Sequence, residues 1–259
     1  MTVSHILAAT PTTPDAPSYS ILVAANPDQV AAAQRLRHLV FAQELGARLH
    51  TSVPGLDVDR FDEFCDHLLV RDDRTGAAVG TYRMLSPQRA ARAGGLYADG
   101  EFDLSRLAPL RDVLVETGRS CVHPDHRNGA VINLMWAGIA RYLHLNNRRW
   151  LAGCASVDLA DGGLSADSVW TLAQARHLSP PALRVRPRDP YPVKPAPTTQ
   201  PAKLLAAVPP LLRGYLRLGA WICGEPAHDP DFAVADFFVL LSLDRVNPRY
   251  LKHFLGGPA

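Results

Sequence analysis

Apolar and polar positions along this chain switch between a period of two and a period near four, and the switches mark its elements. Residues 19–25 (YSILVAA) form a short apolar run, read as a first strand. Val30, Ala33, Leu36, Arg37, Val40 and Phe41 then recur at helical spacing. Asn26 suits the N-cap of that helix, Pro27 its first position and Gly46 its C-terminal stop. After a loop at 51–65, two extended runs at 66–73 (DHLLVRDD) and 77–86 (AAVGTYRMLS) flank Arg74-Thr75-Gly76, which signals a hairpin. Residues 112–122 (DVLVETGRSCV) are the most strand-like run, closed by His123-Pro124-Asp125 and followed by a helix at 131–145. A buried strand at 150–156 and a helix at 164–178 come next. Residues 179–201 are too rich in proline for a sheet centre or helix interior, so they read as a surface excursion. Apolar segments resume at 203–224 and 235–243. Strands alternating with helices on both sides of a hairpin predict an α/β fold, a mixed central sheet flanked by helices in a single domain. That domain spans 19–259, behind a disordered leader at 1–18.

Composition narrows the chemistry only slightly. The chain has 259 residues, 47% of them hydrophobic and 20% charged, within the range of a soluble globular protein. Its net charge of +2 excludes a dominant basic footprint for nucleic acid. Of 27 cationic residues only Lys194, Lys203 and Lys252 are lysines, so arginine enrichment is general and any single arginine starts with little weight. Four scattered cysteines without a C-x-x-C pair point to buried reduced thiols, not to a disulfide framework or a zinc ribbon. No secretory h-region and no 18-residue apolar run is present, so a cytoplasmic protein with at most a peripheral membrane contact is expected.

Three constellations carry possible chemistry. The turn at Arg127-Asn128-Gly129-Ala130 joins a strand to a helix N-terminus, where free N–H groups favour an anion and a glycine admits close backbone approach. An ordinary strand–helix connection reads equally well. Glu116 stands among Val113, Leu114, Val115 and Cys121, a costly place for a carboxylate without a partner. Arg119, three residues on, projects from the opposite face of a regular strand unless Gly118 marks a bulge. A structural ion pair and a catalytic acid–base group both fit. Asp57, Asp59 and Asp62 read as a solvated acidic loop near Arg37 and Arg83, without EF-hand spacing. His67 and Asp72 match H-x-x-x-x-D, but a separation of five on a strand sends them to opposite faces. No metal ligand set, nucleophile elbow or glycine-rich nucleotide loop is found.

The strand–turn–helix at 112–145 resembles the acyl-donor element of the GCN5-related N-acyltransferases. A closer resemblance is to the L-ornithine Nα-acyltransferases of ornithine-lipid synthesis, also labelled hemolysin-like and related to acyl-homoserine lactone synthases. It rests on Arg37-His-Leu-Val-Phe41 with Glu44-Leu-Gly46, Asp59-Arg-Phe61-Asp62, Asp66-His-Leu-Leu-Val70 and Gly80-Thr-Tyr-Arg83. It continues through Glu101-Phe-Asp103, Glu116-Thr-Gly-Arg119-Ser-Cys-Val122, Gly153-Cys-Ala-Ser156, the run 210–220 and Asp236-Phe-Phe-Val239.

The resemblance implies transfer of a long, 3-hydroxylated acyl group from acyl carrier protein to the α-amine of an amino acid, ornithine first. The product is a lyso-aminolipid, and no cofactor is bound permanently. Glu116 and Arg119 are the implied catalytic residues, with Glu116 deprotonating the amine directly or through water. Val122, Arg127, Asn128, Gly129 and Ala130 are implied to hold the donor; Arg37, Phe41, Asp59, Asp62 and Arg83 are implied to hold the acceptor. One glycine in the 127–130 turn departs from the superfamily's glycine-rich pattern, which suits acyl carrier protein over coenzyme A. The alternatives are another amine or an acyl-coenzyme A donor, including lactone or N-acyl amino acid synthesis, and a non-catalytic domain binding acyl carrier protein or lipid. Arg127, Arg141, Arg148 and Arg149 suit an acidic carrier, and the run 210–222 suits either core packing or a membrane surface.

Overall fold

A computed structural model describes residues 5–11 and 17–255. In chain order its regular elements are β1 (His5–Ala9), β2 (Tyr19–Val23), α1 (Pro27–His38), β3 (Asp66–Asp72), β4 (Ala78–Leu85), α2 (Pro87–Arg92), β5 (Phe102–Asp103) and β6 (Leu114–Val122). There follow α3 (Gly129–Leu145), β7 (Trp150–Asp158), α4 (Leu164–Leu172), β8 (Arg186–Pro187), α5 (Pro201–Ala207) and α6 (Pro210–Arg217). The chain closes with β9 (Trp221–Ile222), β10 (Ala227–Asp229), β11 (Val234–Ser242) and α7 (Pro248–Leu255). They group into two compact units. The first takes the residues up to Ala93, then 117–148 and those from 248 onward; the second takes 94–116 and 149–247. Strand β6 contributes to both.

In the first unit β1, β2, β3 and β4 pair in sequence order, each antiparallel to the last, and β6 lies beside β4. Strand alternation gives this sheet two apolar faces. Leu22 and Leu69 face each other across strands and receive Ala33 of α1. Ile21, Val70 and Gly80 form the row on the other face, and that row receives α3. Gly138 makes the α3 contact possible: a Cβ there would stand 2.3 Å from Ile21 Cδ1, so close packing offsets the weak helix propensity of glycine. The cap expected at Asn26 is present, its side chain accepting from Gln29 N. Beyond His38 the helix widens into a π-helical turn, Leu39–Glu44, with Val40 and Phe41 buried.

One expectation is corrected here. Strand β1 lies inside the stretch read as a disordered leader, pairs with β2 and buries Leu7. A run of five residues is too short to announce itself as a strand; the free edge of β2 supplies its partner. Residues 1–4 and 12–16 of that leader lie outside the described residues.

In the second unit β7 and β11 pair antiparallel over nine residues, with β9 and β10 adding to β11. The first three residues of β6 pair in parallel with β7, at Leu114–Trp150, Val115–Leu151 and Glu116–Ala152. Phe102 packs edge-on to Phe238 with ring centroids 5.8 Å apart. Helix α6 buries Leu212, Tyr215 and Leu216, so the amphipathic run at 210–222 is spent on core packing. The stretch 179–201 holds β8 and a short helical turn at Pro181–Leu183. Among the described residues no helix is long and apolar enough to cross a membrane.

Candidate active site

In the first unit six of the residues singled out by sequence meet in one buried ion network. Arg37, fully buried on α1, sends Nε to Asp57 at 2.9 Å and a terminal nitrogen to Asp62 at 2.8 Å. Arg83, projecting from β4, reaches Asp59 at 2.6 Å and Asp62 at 3.2 Å. Arg119 approaches Asp57 at 3.3 Å and Asp59 at 3.5 Å. Three arginines thus face three aspartates, and their charges balance. Asp62 takes further hydrogen bonds from Gln34 and from the Asp59 N–H. Burial alone would raise its pKa, but the charge and hydrogen bond of Arg37, then Arg83, carry it down to about 2. His67 lies beside it, its imidazole pushed toward the neutral form mainly by burial.

This overturns the reading of Asp57, Asp59 and Asp62 as a solvated loop. Asp57 and Asp62 are buried because the loop after α1 folds back under the sheet and finds arginines there. Phe41 stays near the same helix end, buried in the π turn, and Arg83 sits 5.8 Å from the Phe61 ring centroid.

Arg119 joins the network through an unusual backbone. Its φ is +48°, in the left-handed region that non-glycine residues enter at a cost of roughly 1 kcal/mol. The irregularity expected at Gly118 therefore falls one residue later. It breaks the strict alternation of β6 and aims Arg119 at Asp57 and Asp59.

At the start of α3 the arrangement is partly self-satisfied. Arg127 forms a two-pronged pair with Glu44, both contacts at 2.6 Å, and donates from Nε to the Val122 carbonyl. Asn128 caps the helix, accepting from Val131 N, and its amide group reaches the Tyr19 hydroxyl. Gly129 and Ala130 are exposed at the first turn. The arginine expected to meet an anion thus already has a carboxylate, and the open groups there are backbone.

The second unit holds a different kind of acid cluster. Glu116, buried on β6, accepts from Tyr97 N at 2.6 Å with one oxygen and from Ala98 N at 2.8 Å with the other. Those two N–H groups open a single helical turn, Tyr97–Gly100, and Glu101 follows directly at its end. Pairing registers place Glu116, Ala152, Cys154, Ser156, Asp236 and Asp229 on one face of the sheet. Ser156 donates to Asp236 at 2.6 Å. Carboxylate oxygens of Glu101, Asp229 and Asp236 all lie within 4.8 Å of one another. Burial first, then the charge of Asp236, raises the Glu101 carboxyl to about 8.

Thiol chemistry is disfavoured at Cys121, Cys154 and Cys223. Burial pushes Cys121 and Cys223 up to about 12 and Cys154 well above its ordinary value, so each stays a protonated, poor nucleophile. All four cysteines are free thiols.

Comparison with known proteins decides the family. An acetyltransferase (GNAT) domain matches residues 36–137. An L-ornithine N(alpha)-acyltransferase of Brucella abortus is 35% identical over 246 residues, covering 87% of this chain and 84% of its own. The chain belongs to the L-ornithine N(alpha)-acyltransferase family. Its counterpart in Rhodobacter capsulatus is also 35% identical, over 250 residues, covering 92% of this chain and 95% of its own. Among solved structures, the AHL synthase LasI aligns with a TM-score of 0.54 at 12% identity, covering 94% of this chain and 98% of that one. The fold is therefore the mixed, helix-flanked sheet of the GNAT proteins, and the protein is an N-acyltransferase.

Sequence reasoning left four polar residues without a role: Asp57, His67, Glu101 and Asp236. Asp236 carried a usable signal, since it interrupts an otherwise apolar strand in the same manner as Glu116. Asp57 and Glu101 sit in polar surroundings along the chain, and only folding reveals their burial.

Proposed function

We propose that this enzyme transfers a long, 3-hydroxylated acyl group from acyl carrier protein to the α-amine of L-ornithine, giving a lyso-aminolipid. The observation that carries this reading is the 35% identity, over nearly the full length of both chains, to relatives named for acylation of ornithine at that nitrogen. The chemistry needs a neutral amine, an activated carbonyl and a place for the departing thiol. Glu116 accepts an N–H of the amine, directly or through water. Both its oxygens accept main-chain N–H groups, from Tyr97 and Ala98, which fixes the direction of the carboxylate. The amine nitrogen forms a bond to the thioester carbon, the carbon–sulfur bond breaks, and the amine proton ends on the departing thiol.

The donor is a pantetheine thioester lying along β6. In support, the parallel β6–β7 ladder takes in only Leu114–Glu116 of the nine residues of β6. Gly129 and Ala130 offer exposed helix-start N–H groups to the phosphate. Arg119 orders the first unit's loop of aspartates as a positioning residue, with Arg37, Asp59, Asp62 and Arg83 completing that network and Phe41 packed at the end of its helix. Direct attack without an acyl-enzyme fits the protonated thiols. Release of the lipid product to the inner face of a membrane requires only transient contact.

The test is a donor comparison. With L-ornithine as acceptor, matched 3-hydroxyacyl thioesters of acyl carrier protein and of coenzyme A are assayed by product mass. The carrier-protein thioester is expected to give roughly tenfold or higher kcat/KM, about the 1.4 kcal/mol that a modest added protein contact supplies. Equal or better use of coenzyme A would remove the carrier protein from the proposal.

A further inference from the structure

We propose that Glu101, Asp236 and Asp229 form the subsite that binds the second, δ-ammonium group of the acceptor and thereby selects a diamino acid. The inference deepens the ornithine reading and rests on it. The acids of the first unit do not suit this task. Asp57, Asp59 and Asp62 already face Arg37, Arg83 and Arg119, one cation for each anion. In the second unit the balance is different. Three carboxylates lie within 4.8 Å of one another, and an ammonium carries three N–H donors, one for each.

Independent geometry indicates that this trio awaits a ligand. Both carboxylate oxygens of Glu101 are shut off from solvent, and the groups that reach the carboxyl are the weak Cys154 thiol donor and Tyr97, neither of them a cation. A buried carboxylate left in that state is costly unless it is protonated or meets a cation. Its neighbours are held in place. Asp236 is almost fully buried and takes the Ser156 hydroxyl, while Asp229 accepts from Asp231 N and Phe232 N. Among the described residues Glu101 has no main-chain donor of that kind.

The position relative to Glu116 fits a substrate with two amines. The turn Tyr97–Gly100 holds Glu116 by its first N–H groups and delivers Glu101 at its far end. Glu116, Cys154 and Asp236 share one sheet face, and Glu101, Asp236 and Glu116 all act on the Cys154 thiol. An acceptor whose α-amine meets Glu116 can therefore extend a short methylene chain along this face toward the trio. A divalent metal is the competing cation, and the experiment separates it.

L-Norvaline has the carbon skeleton of ornithine without the δ-amine. Acylation of L-ornithine and of L-norvaline is compared for wild type, Glu101→Gln and Asp229→Asn, with melting temperatures recorded for each protein. Wild type is expected to favour ornithine by roughly 100-fold in kcat/KM, and Glu101→Gln to bring that ratio close to one, as expected when a charged partner is lost from a closed site. Asp229→Asn, at the half-buried edge of the trio, should reduce it by roughly tenfold and guards against misfolding of the first variant. A ratio unchanged in both folded variants would overturn the proposal. So would loss of ornithine acylation on chelation with recovery on adding a divalent metal. If wild type acylates neither amino acid, the ornithine reading itself fails, which is a different result from an unchanged ratio.

Discussion

Replacing Glu116 by glutamine is expected to lower acyl transfer by about 10²- to 10⁴-fold, the range for losing a general base or its equivalent acceptor. The structure adds a second effect that must be measured beside the first. Both oxygens of Glu116 accept main-chain N–H groups in a buried setting, at Tyr97 and Ala98. A glutamine amide has one oxygen and one NH₂, so one main-chain donor would face another donor, at a cost of about 1–3 kcal/mol. The variant should therefore melt several degrees lower and also lose turnover at temperatures where it is folded. Melting curves, binding of the acyl donor and kcat measured well below the transition distinguish the two effects. Turnover within twofold of wild type would remove Glu116 from the chemistry and leave it a support for the Tyr97–Gly100 turn.

The largest expected effect on stability is at Arg37. Arg37→Met keeps most of the side-chain volume but leaves Asp57 and Asp62 buried with one cation fewer. Breaking a buried pair on one side costs about 3–5 kcal/mol, because the abandoned charge has no water to return to. Urea unfolding should show that loss as a shifted midpoint with an unchanged slope. The pH dependence follows from Asp62. Its folded pKa of about 2 lies below the usual 3.8, so its stabilising contribution is fully present above about pH 4 and disappears as pH falls toward 2. Without Arg37 the main force lowering that pKa is gone, and acid unfolding should begin at higher pH. Adding Asp62→Asn to Arg37→Met should recover part of the loss, since the second change removes one stranded anion. A single variant as stable as wild type would mean the network is electrostatically neutral to folding.

Much of the fold was legible because its strands and helices have strong periodicity and ordinary punctuation: Asn26 caps α1, the 74–76 turn closes the hairpin, and β6 runs into α3. Strand β1 escaped because its five residues depend on a partner edge supplied by β2. The site was legible in its members but not in its wiring. Glu116 and Arg119 look like natural partners three residues apart, yet the left-handed turn at Arg119 directs it to Asp57 and Asp59 while Glu116 binds a turn about twenty residues upstream. Arg127 reads as a phosphate ligand until folding brings Glu44, 83 positions away in sequence, against it. Asp57 and Glu101 lie in polar stretches, so their burial depends on packing that no local pattern encodes.

The central claim is that the acyl group goes to the α-nitrogen of ornithine by direct attack. The most direct measurement uses L-ornithine labelled with heavy nitrogen at the α position, the purified enzyme and a 3-hydroxyacyl thioester of acyl carrier protein. Fragmentation of the product in a mass spectrometer then locates the label. The expected result is a single N-acyl product with heavy nitrogen in the amide and a free light δ-amine. An amide carrying light nitrogen, or no N-acyl product with a competent donor, would contradict it.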